Sequence, residues 1–431
     1  MFGTSGIRGP VGDVVTGELA LSVGRAVGVD ADRVVTGRDP RGSGRTLLDA
    51  LTAGLRETGT DVVDLGEAAT PTVARAVGWE DADAGVMVTA SHNPPEDNGV
   101  KLWQPSGQAY DADLRETIER RLREDDFASA LRAWDRLGAR TAGTADARHV
   151  AALVDAVDVA DPPSVVVDVG NGAGGVTVEA LQQLGCDVET LNAQPDGRSP
   201  GRPSEPDAES LSSLAALVGA TDADLGVAHD GDADRMMAVT GEGEFVAGDT
   251  LLALFAADAA DPGQRVAYPI DVSLAVEDYL AERDVGVERT PVGDVHVAEA
   301  VGGEVVFGGE QSGAWIWPEQ TLCPDGPLAA CRLVEMAAER PLADRVSEIP
   351  SYEIRKENVE VEEKESVMAS VREDALAEYD DATTVDGVRV DLGDAWFLVR
   401  ASGTQPLVRV FAEARDPDRA DEALGKAKGY L

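Results

Sequence analysis

Lysine is almost missing from this 431-residue chain. Only Lys101, Lys356, Lys364, Lys426 and Lys428 occur; arginine supplies the rest of the 37 basic residues, which face 80 acidic ones and leave a formal net charge of −43. A field of that sign repels polyanions, so neither nucleic acid nor a membrane is expected as a partner. Cysteine is scarce too. Cys186, Cys323 and Cys331 are too few and too scattered for a disulfide framework, which points to a reduced, cytoplasmic compartment. No apolar run approaches the roughly 18 residues of a membrane span, and no charged-then-apolar leader opens the sequence. Such acidity would suit a disordered chain, but 43% hydrophobic residues and a regular alternation of strand and helix patterns argue for packed cores. An acid-rich, lysine-poor surface stays soluble at very high salt, where screening suppresses self-repulsion, so a salt-rich, halophilic cytoplasm is inferred.

The length exceeds one ordinary core, and about three or four domains are expected. Thr16 begins a helix with Glu18 in its first turn and Leu19, Val23, Ala26 and Val27 on one face. A strand at 34–36 leads into the glycine-rich 37–44, and Ser43 opens a second helix striped by Leu47, Leu48, Leu51 and Leu55. A strand at 62–65, a short helix after Pro71 and a strand Ala84–Val88 follow. Strand and helix in turn imply a mainly parallel sheet clad by helices. The strand, glycine-rich turn and helix of 33–44 recur at 164–175, and a third unit starts near 265–270, a weak repeat of about a hundred residues. Beyond Ser351 the order changes to a helix at 365–379, strands at 383–391, 396–400 and 407–414, and a helix from Pro417, forming a smaller α+β domain. The expected domains are 1–146, 147–241, 242–348 and 349–431.

The chemistry gathers in four loops. In 86–101 an apolar strand stops at Ser91, followed by His92-Asn93-Pro94-Pro95 and an Asn98-Gly99 turn signal. A strand ending this way presents its last side chain to the crevice where open α/β sheets bind ligands, although a plain loop of turn-forming residues fits this segment equally well. Asp230, Asp232 and Asp234 alternate in a tight loop after a strand at 225–228. Three carboxylates so close repel one another unless a cation lies between them, and hard oxygen ligands suit Mg²⁺; the spacing of a calcium EF-hand is not met, and the alternative is a solvated acidic turn. In Gly308-Gly309-Glu310-Gln311-Ser312-Gly313, Glu310 and Ser312 offer an acceptor and a donor suited to sugar hydroxyls, or form a plain glycine turn. Lastly, Arg400-Ala401-Ser402-Gly403-Thr404, with Arg409 in the next strand, joins guanidinium groups, hydroxyls and an approachable glycine N–H into a phosphate cradle.

Together with the opening Phe2-Gly3-Thr4-Ser5-Gly6-Ile7-Arg8-Gly9, these loops resemble, in order and over nearly the whole chain, the motifs of the α-D-phosphohexomutases. Residues 89–94 look like the family's phosphoserine loop, 230–235 its metal loop, 310–313 its sugar loop and 400–406 its phosphate loop. The resemblance implies an α/β fold of three related domains with mixed or parallel sheets, plus a smaller C-terminal α+β domain, around a central cleft. It also implies that Ser91 passes a phosphate to a free hydroxyl of a hexose monophosphate, interconverting hexose 6-phosphate and hexose 1-phosphate with hexose 1,6-bisphosphate as intermediate and activator. Ser91, His92, Lys101 and Arg8 would then be catalytic, Arg8 being the weaker acid–base candidate because guanidinium stays protonated. One Mg²⁺ would be held by Asp230, Asp232, Asp234 and an oxygen on Ser91. Arg235, Thr290, Gly293, Glu310 and Ser312 would contact the sugar, and Arg400, Ser402, Gly403, Thr404 and Arg409 the phosphate that is not reacting.

Three positions depart from the family pattern. Ala314 stands where many members have His, Gln405 where Glu is common, and Val295 where many carry a basic residue. The loops at 308–313, 89–94 and 400–404, and the segment 313–318, most resemble the phosphoglucosamine mutase branch. Conversion of glucosamine 6-phosphate to glucosamine 1-phosphate is therefore expected ahead of phosphoglucomutase or phosphomannomutase activity. A phosphosugar-binding regulator without turnover, or a metal-dependent phosphatase that gives the Ser91 phosphate to water, is the alternative of another class. The intact Ser91, Lys101 and three aspartates argue against the first, and the distant phosphate loop, which suggests closure over the substrate, against the second.

Overall fold

The structure, a computed structural model, describes all residues other than 1, 2, 4, 5, 362, 380, 381 and 402–406. The chain forms two compact units: one runs to Gly248 and takes in Ser312–Arg345, and the other comprises Asp249–Gln311 and Val346–Leu431.

The first unit opens on a six-stranded sheet ordered Ile7–Pro10, Asp97–Trp103, Ala84–Val88, Arg33–Arg38, Asp61–Glu67 and Arg140–Ala142. The last four strands are parallel and the first two antiparallel. Ala84–Val88 is buried along its whole length, which suits an unbroken apolar run covered on both faces. Helix Gly17–Gly28 is capped by Thr16, whose hydroxyl accepts from the Leu19 amide, and its Val23 and Val27 share a core with Leu51, Leu55, Val34 and Val86. Ser43 does not cap the next helix, Gly44–Glu57; its backbone is already helical and its Oγ accepts from Asn98 Nδ2.

Asn98-Gly99, expected as a turn, lies inside the strand Asp97–Trp103, opposite Gly9 and Arg8. Glycine is required there by close approach, since a Cβ would stand 2.3 Å from the Ile7 carbonyl oxygen and 2.6 Å from that of Thr89. The turn falls earlier, where the amides of Asn93 and Asp97 donate to the carbonyls of Ala90 and Pro94. The strand then carries Lys101 back along Ala84–Val88.

A second sheet of this unit is ordered Phe245–Val246, Met236–Thr240, Leu225–His229, Ser164–Asp168 and Asp187–Leu191. Leu225–His229 and Met236–Thr240 are antiparallel and fully buried, so the segment between them is a tight loop at the end of a core strand. Among the described residues no helix is long and apolar enough to cross a membrane.

In the second unit, Gly286–Thr290, Arg265–Pro269 and Val305–Glu310 run parallel. An antiparallel sheet follows, ordered Glu353–Glu360, Leu407–Ala414, Ala395–Ala401 and Val388–Asp391. The strand expected over 383–391 is only Val388–Asp391, with Thr383 making an isolated bridge to Arg389. Buried polar groups tie the two layers. Glu413, on the last sheet, accepts from Ser273 Oγ at 2.6 Å, the Leu274 amide at 2.7 Å and Trp396 Nε1 at 2.7 Å, and so caps helix Leu274–Ala281. Arg389 donates to the Ile270 carbonyl while its guanidinium lies 4.2 Å from the Trp396 ring centroid.

Candidate active site

Ser91 follows the buried strand Ala84–Val88 in a left-handed backbone conformation, φ 52°, which a residue with a Cβ adopts only when its surroundings enforce it. Its side chain is 1% exposed. The amide donates to Thr89 Oγ1 at 2.8 Å, and Oγ donates to Asp230 Oδ2 at 2.5 Å and lies 3.3 Å from His92 Nδ1. Burial, then the charges of Arg235, Arg8 and Lys101, push the His92 pKa down to about 3. The imidazole is therefore neutral at ordinary pH.

The loop after Leu225–His229 brings the carboxylate oxygens of Asp230, Asp232 and Asp234 within 4.8 Å of one another, all buried. Lys101 Nζ donates to Asp232 Oδ2 at 2.7 Å and also to Asp234 Oδ2, and Thr70 Oγ1 donates to Asp232 Oδ2 at 2.5 Å. Burial opposes charge on all these groups. For Asp230, burial and the neighbouring Asp232 and Asp234 carboxylates raise the pKa well above the usual range. For Asp232, burial is outweighed by Lys101 and the pKa falls; for Lys101, burial is outweighed by Asp232 and Asp234 and the pKa rises. Asp232 Oδ1 is buried and, among the described residues, has no hydrogen-bond partner. An orphaned anionic oxygen beside two further carboxylates is what a hard divalent cation satisfies, so the donor set fits Mg²⁺.

Arg8, opposite Gly99 on the strand Ile7–Pro10, adds positive charge that acts on His92, Lys101 and Asp232; its Nε is buried and without a hydrogen-bond partner among the described residues. Arg235 Nη1 lies 3.5 Å from Glu205 Oε1. The first unit thus gathers Ser91, His92, Lys101, Arg8, Arg235 and the three aspartates. It also carries Ser312, whose Oγ is buried and without a hydrogen-bond partner among the described residues.

The second unit carries Thr290, Gly293, Glu310, Arg400 and Arg409. Glu310 ends the strand Val305–Glu310 and Thr290 ends Gly286–Thr290, while Gly293, φ 127°, precedes helix Asp294–Ala300. Arg400 and Arg409 are directly opposite across two antiparallel strands, a pairing of like charges that favours an anion between them. Asp386 accepts from the Val292 amide at 3.2 Å and sits 3.1 Å from Arg400 Nε. Ser402, Gly403 and Thr404, with Phe2, Thr4 and Ser5 of the opening motif, lie outside the described residues.

Several residues that set this geometry carry no catalytic signature in the sequence. Arg41, 5% exposed, holds the Ser91 turn and pairs with Asp39 at 3.1 Å; burial pushes the Asp39 carboxyl up to about 6 against the pull of Arg41. Asp168, in the second repeat, pairs with Arg202 at 2.7 Å, and Arg202 donates to the His229 carbonyl at the start of the metal loop. The first two repeats therefore each fix a loop with a buried Arg–Asp pair. His229 is tied on both ring nitrogens, Nδ1 donating to the Arg235 carbonyl and Nε2 accepting from Thr177, which fixes its tautomer. At Gly231 a Cβ would come within 2.8 Å of the Ser91 carbonyl oxygen, so the metal loop rests directly on the Ser91 turn.

A mixed-sheet α/β scaffold that buries a serine against three alternating aspartates is the architecture of a phosphoryl-transfer enzyme of the phosphohexomutase type. The sequence matches the phosphoglucomutase/phosphomannomutase alpha/beta/alpha domains I, II and III over residues 1–129, 147–243 and 247–352, and the C-terminal domain of that group over 357–425. It is 46% identical to a protein of Methanopyrus kandleri named "probable phosphoglucosamine mutase", covering 98% of this chain and 95% of that one, and 44% identical to a protein of the same name in Methanosarcina acetivorans, covering 99% and 98%. The crystal structure of a phosphoglucomutase/phosphomannomutase family protein from Burkholderia thailandensis superposes with a TM-score of 0.88 at 28% identity, covering 100% of this chain and 98% of that one. The chain belongs to the phosphoglucomutase/phosphomannomutase family, the α-D-phosphohexomutases.

Proposed function

We propose that this phosphohexomutase interconverts glucosamine 6-phosphate and glucosamine 1-phosphate, with Ser91 as the phosphoryl carrier and Asp230, Asp232 and Asp234 as the ligands of one Mg²⁺. The observation that carries this reading is Ser91 Oγ, buried and hydrogen-bonded to Asp230 within a three-carboxylate cluster. The glucosamine assignment draws on the names of the relatives at 46% and 44% identity. In the first half-reaction the Oγ–P bond of phosphoserine breaks as a sugar hydroxyl oxygen bonds to phosphorus, its proton passing to Ser91 Oγ; in the second, the other sugar O–P bond of the hexose 1,6-bisphosphate breaks as Ser91 Oγ bonds to that phosphorus and its proton passes to the freed sugar oxygen. Mg²⁺, when bound, neutralises charge on the transferring group. Lys101 keeps a buried ammonium in the same cluster, and neutral His92 lies beside Oγ as a hydrogen-bond partner. The paired Arg400 and Arg409 suit the phosphate that is not reacting.

The test compares glucosamine 6-phosphate, glucose 6-phosphate and mannose 6-phosphate in Mg²⁺, following hexose 1-phosphate and free phosphate separately. A kcat/KM for glucosamine 6-phosphate about tenfold or more above the others is the expected result, a margin of about 1.4 kcal/mol in transition-state binding. Preference for either other sugar would move the assignment within the family, and free phosphate as the main product would make the protein a phosphatase.

The −43 charge also supports work in a salt-rich cytoplasm. The Debye length falls from about 10 Å at 0.1 M to about 3 Å at 1 M, so the melting temperature should rise by roughly 5 °C or more between dilute buffer and about 2 M KCl. An unchanged melting temperature would remove the high-salt reading.

A further inference from the structure

The most completely used donor group near the reacting serine belongs to a residue that the chemistry above does not involve. Arg41 has five guanidinium N–H groups, and every one is hydrogen-bonded. Nε donates to Asp39 Oδ2 at 3.1 Å; Nη1 donates to the carbonyls of Pro94 at 2.5 Å and Asp97 at 2.9 Å; Nη2 donates to those of Ser91 at 2.9 Å and Asn93 at 2.6 Å. Four main-chain carbonyls between positions 91 and 97 thus converge on one planar cation. Asp39 is itself fixed by Thr89 Oγ1 at 2.6 Å, the residue that also accepts the Ser91 amide. From the other side Ser204 Oγ donates to the Ser91 carbonyl at 3.1 Å. The left-handed backbone of Ser91, which aims Oγ at Asp230, is therefore held at its amide and twice at its carbonyl.

We propose that Arg41 is a positioning residue for phosphoryl transfer: its guanidinium is the template on which the Ser91–Asp97 turn is folded, and its contribution falls on kcat rather than on sugar or metal affinity. This rests on the reading of Ser91 as the carrier. Because Arg41 grips main-chain oxygens, the template is indifferent to whether Ser91 carries a phosphate, so it can serve both states of the cycle. Lysine preserves the charge but has three donors on one atom, which cannot reach carbonyls spread around a planar fork.

The experiment compares Arg41→Lys, Arg41→Ala and the milder Ser204→Ala. For Arg41→Lys, kcat should fall by about 100-fold, the scale set by a misplacement of about 1 Å, with KM and Mn²⁺ affinity within about threefold of wild type. Turnover of Arg41→Ala should recover in part on adding methylguanidinium, which fills the space left by the side chain. Hydrogen exchange at the amides of Asn93 and Asp97, which close the turn, should quicken by about tenfold or more in Arg41→Lys. A kcat within about threefold of wild type, or a loss matched by equal losses of Mn²⁺ binding and folded fraction, would overturn the proposal. If the Arg41 variants do not fold, Ser204→Ala decides: kcat should drop several-fold with KM unchanged, and an unchanged kcat is the contrary result. If wild type neither interconverts monophosphates nor takes phosphate onto Ser91 from hexose 1,6-bisphosphate, the functional reading has failed. The exchange rates of the turn then decide the role of Arg41 alone, and unchanged exchange refutes it.

Discussion

Replacing Ser91 with alanine should lower mutase turnover by roughly 10⁴-fold or more, the scale seen when a lone nucleophile is removed from a built site. The expectation follows from how the neighbouring hydroxyls are engaged. Thr70 donates to Asp232, Thr89 to Asp39 and Ser204 to the Ser91 carbonyl, whereas Ser91 Oγ donates to Asp230 and lies beside His92, so of these four hydroxyls it alone has both a carboxylate of the cluster and an imidazole at hand. The proposed reaction also needs one carrier for both ends of the sugar, because the phosphate that Ser91 gives to one position is replaced on Ser91 by the phosphate from the other. Wild type exposed to glucose 1,6-bisphosphate should gain one phosphoryl group on Ser91 by mass spectrometry, and dephosphorylated enzyme should be revived by catalytic amounts of that bisphosphate. If Ser91→Ala still interconverts the monophosphates at more than about a hundredth of the wild-type rate, another residue is the carrier.

The second large effect is expected at Asp232→Asn. Asp232 combines a buried unpartnered oxygen with bonds to Lys101 and Thr70, so the amide removes an anionic ligand while keeping the side-chain shape. Mg²⁺ affinity should fall by about 100-fold or more, since few carboxylates remain to offset the cost of dehydrating the ion. The consequence can be read without activity. A ligand at about 100 times its Kd stabilises the folded state by about 2.7 kcal/mol, whereas at its Kd the gain is only about 0.4 kcal/mol. The wild-type melting temperature should therefore climb with Mg²⁺ and that of Asp232→Asn should barely respond at the same concentration. A full Mg²⁺ response in the variant would show that the ion is held elsewhere.

Much of the candidate site could be read from residue order because the proposed reacting groups sit at strand ends, where side-chain type and turn chemistry both leave a mark. Ser91 and the 230–235 loop are of that kind. The residues that shape them are not. Arg41 acts on backbone carbonyls fifty and more positions away, and a carbonyl has no residue signature. Thr70 meets Asp232 across 162 positions. Gly99 looks like half of a turn because glycine marks turns, yet here it marks two backbones in close approach. The strand Glu353–Glu360 escaped because it is an edge strand rich in charge, where exposure favours Lys and Glu over the β-branched residues that announce a buried strand. The 402–404 segment of the phosphate loop lies outside the described residues, and its expected role rests on the sequence alone.

The carboxylates of the second unit have a mechanical meaning as well as a stabilising one. Glu413 ties the last sheet to the start of helix Leu274–Ala281, and Asp386 joins the Val292 amide, between Thr290 and Gly293, to Arg400. The loop 290–293, the strand ending in Glu310 and the arginine pair Arg400 and Arg409 are thus mounted on one frame. They form a ruler. In the proposed reaction a sugar phosphate would be measured by these fixed marks, the sugar at one and the phosphate at another, with their spacing kept by carboxylates that are assigned no contact with it.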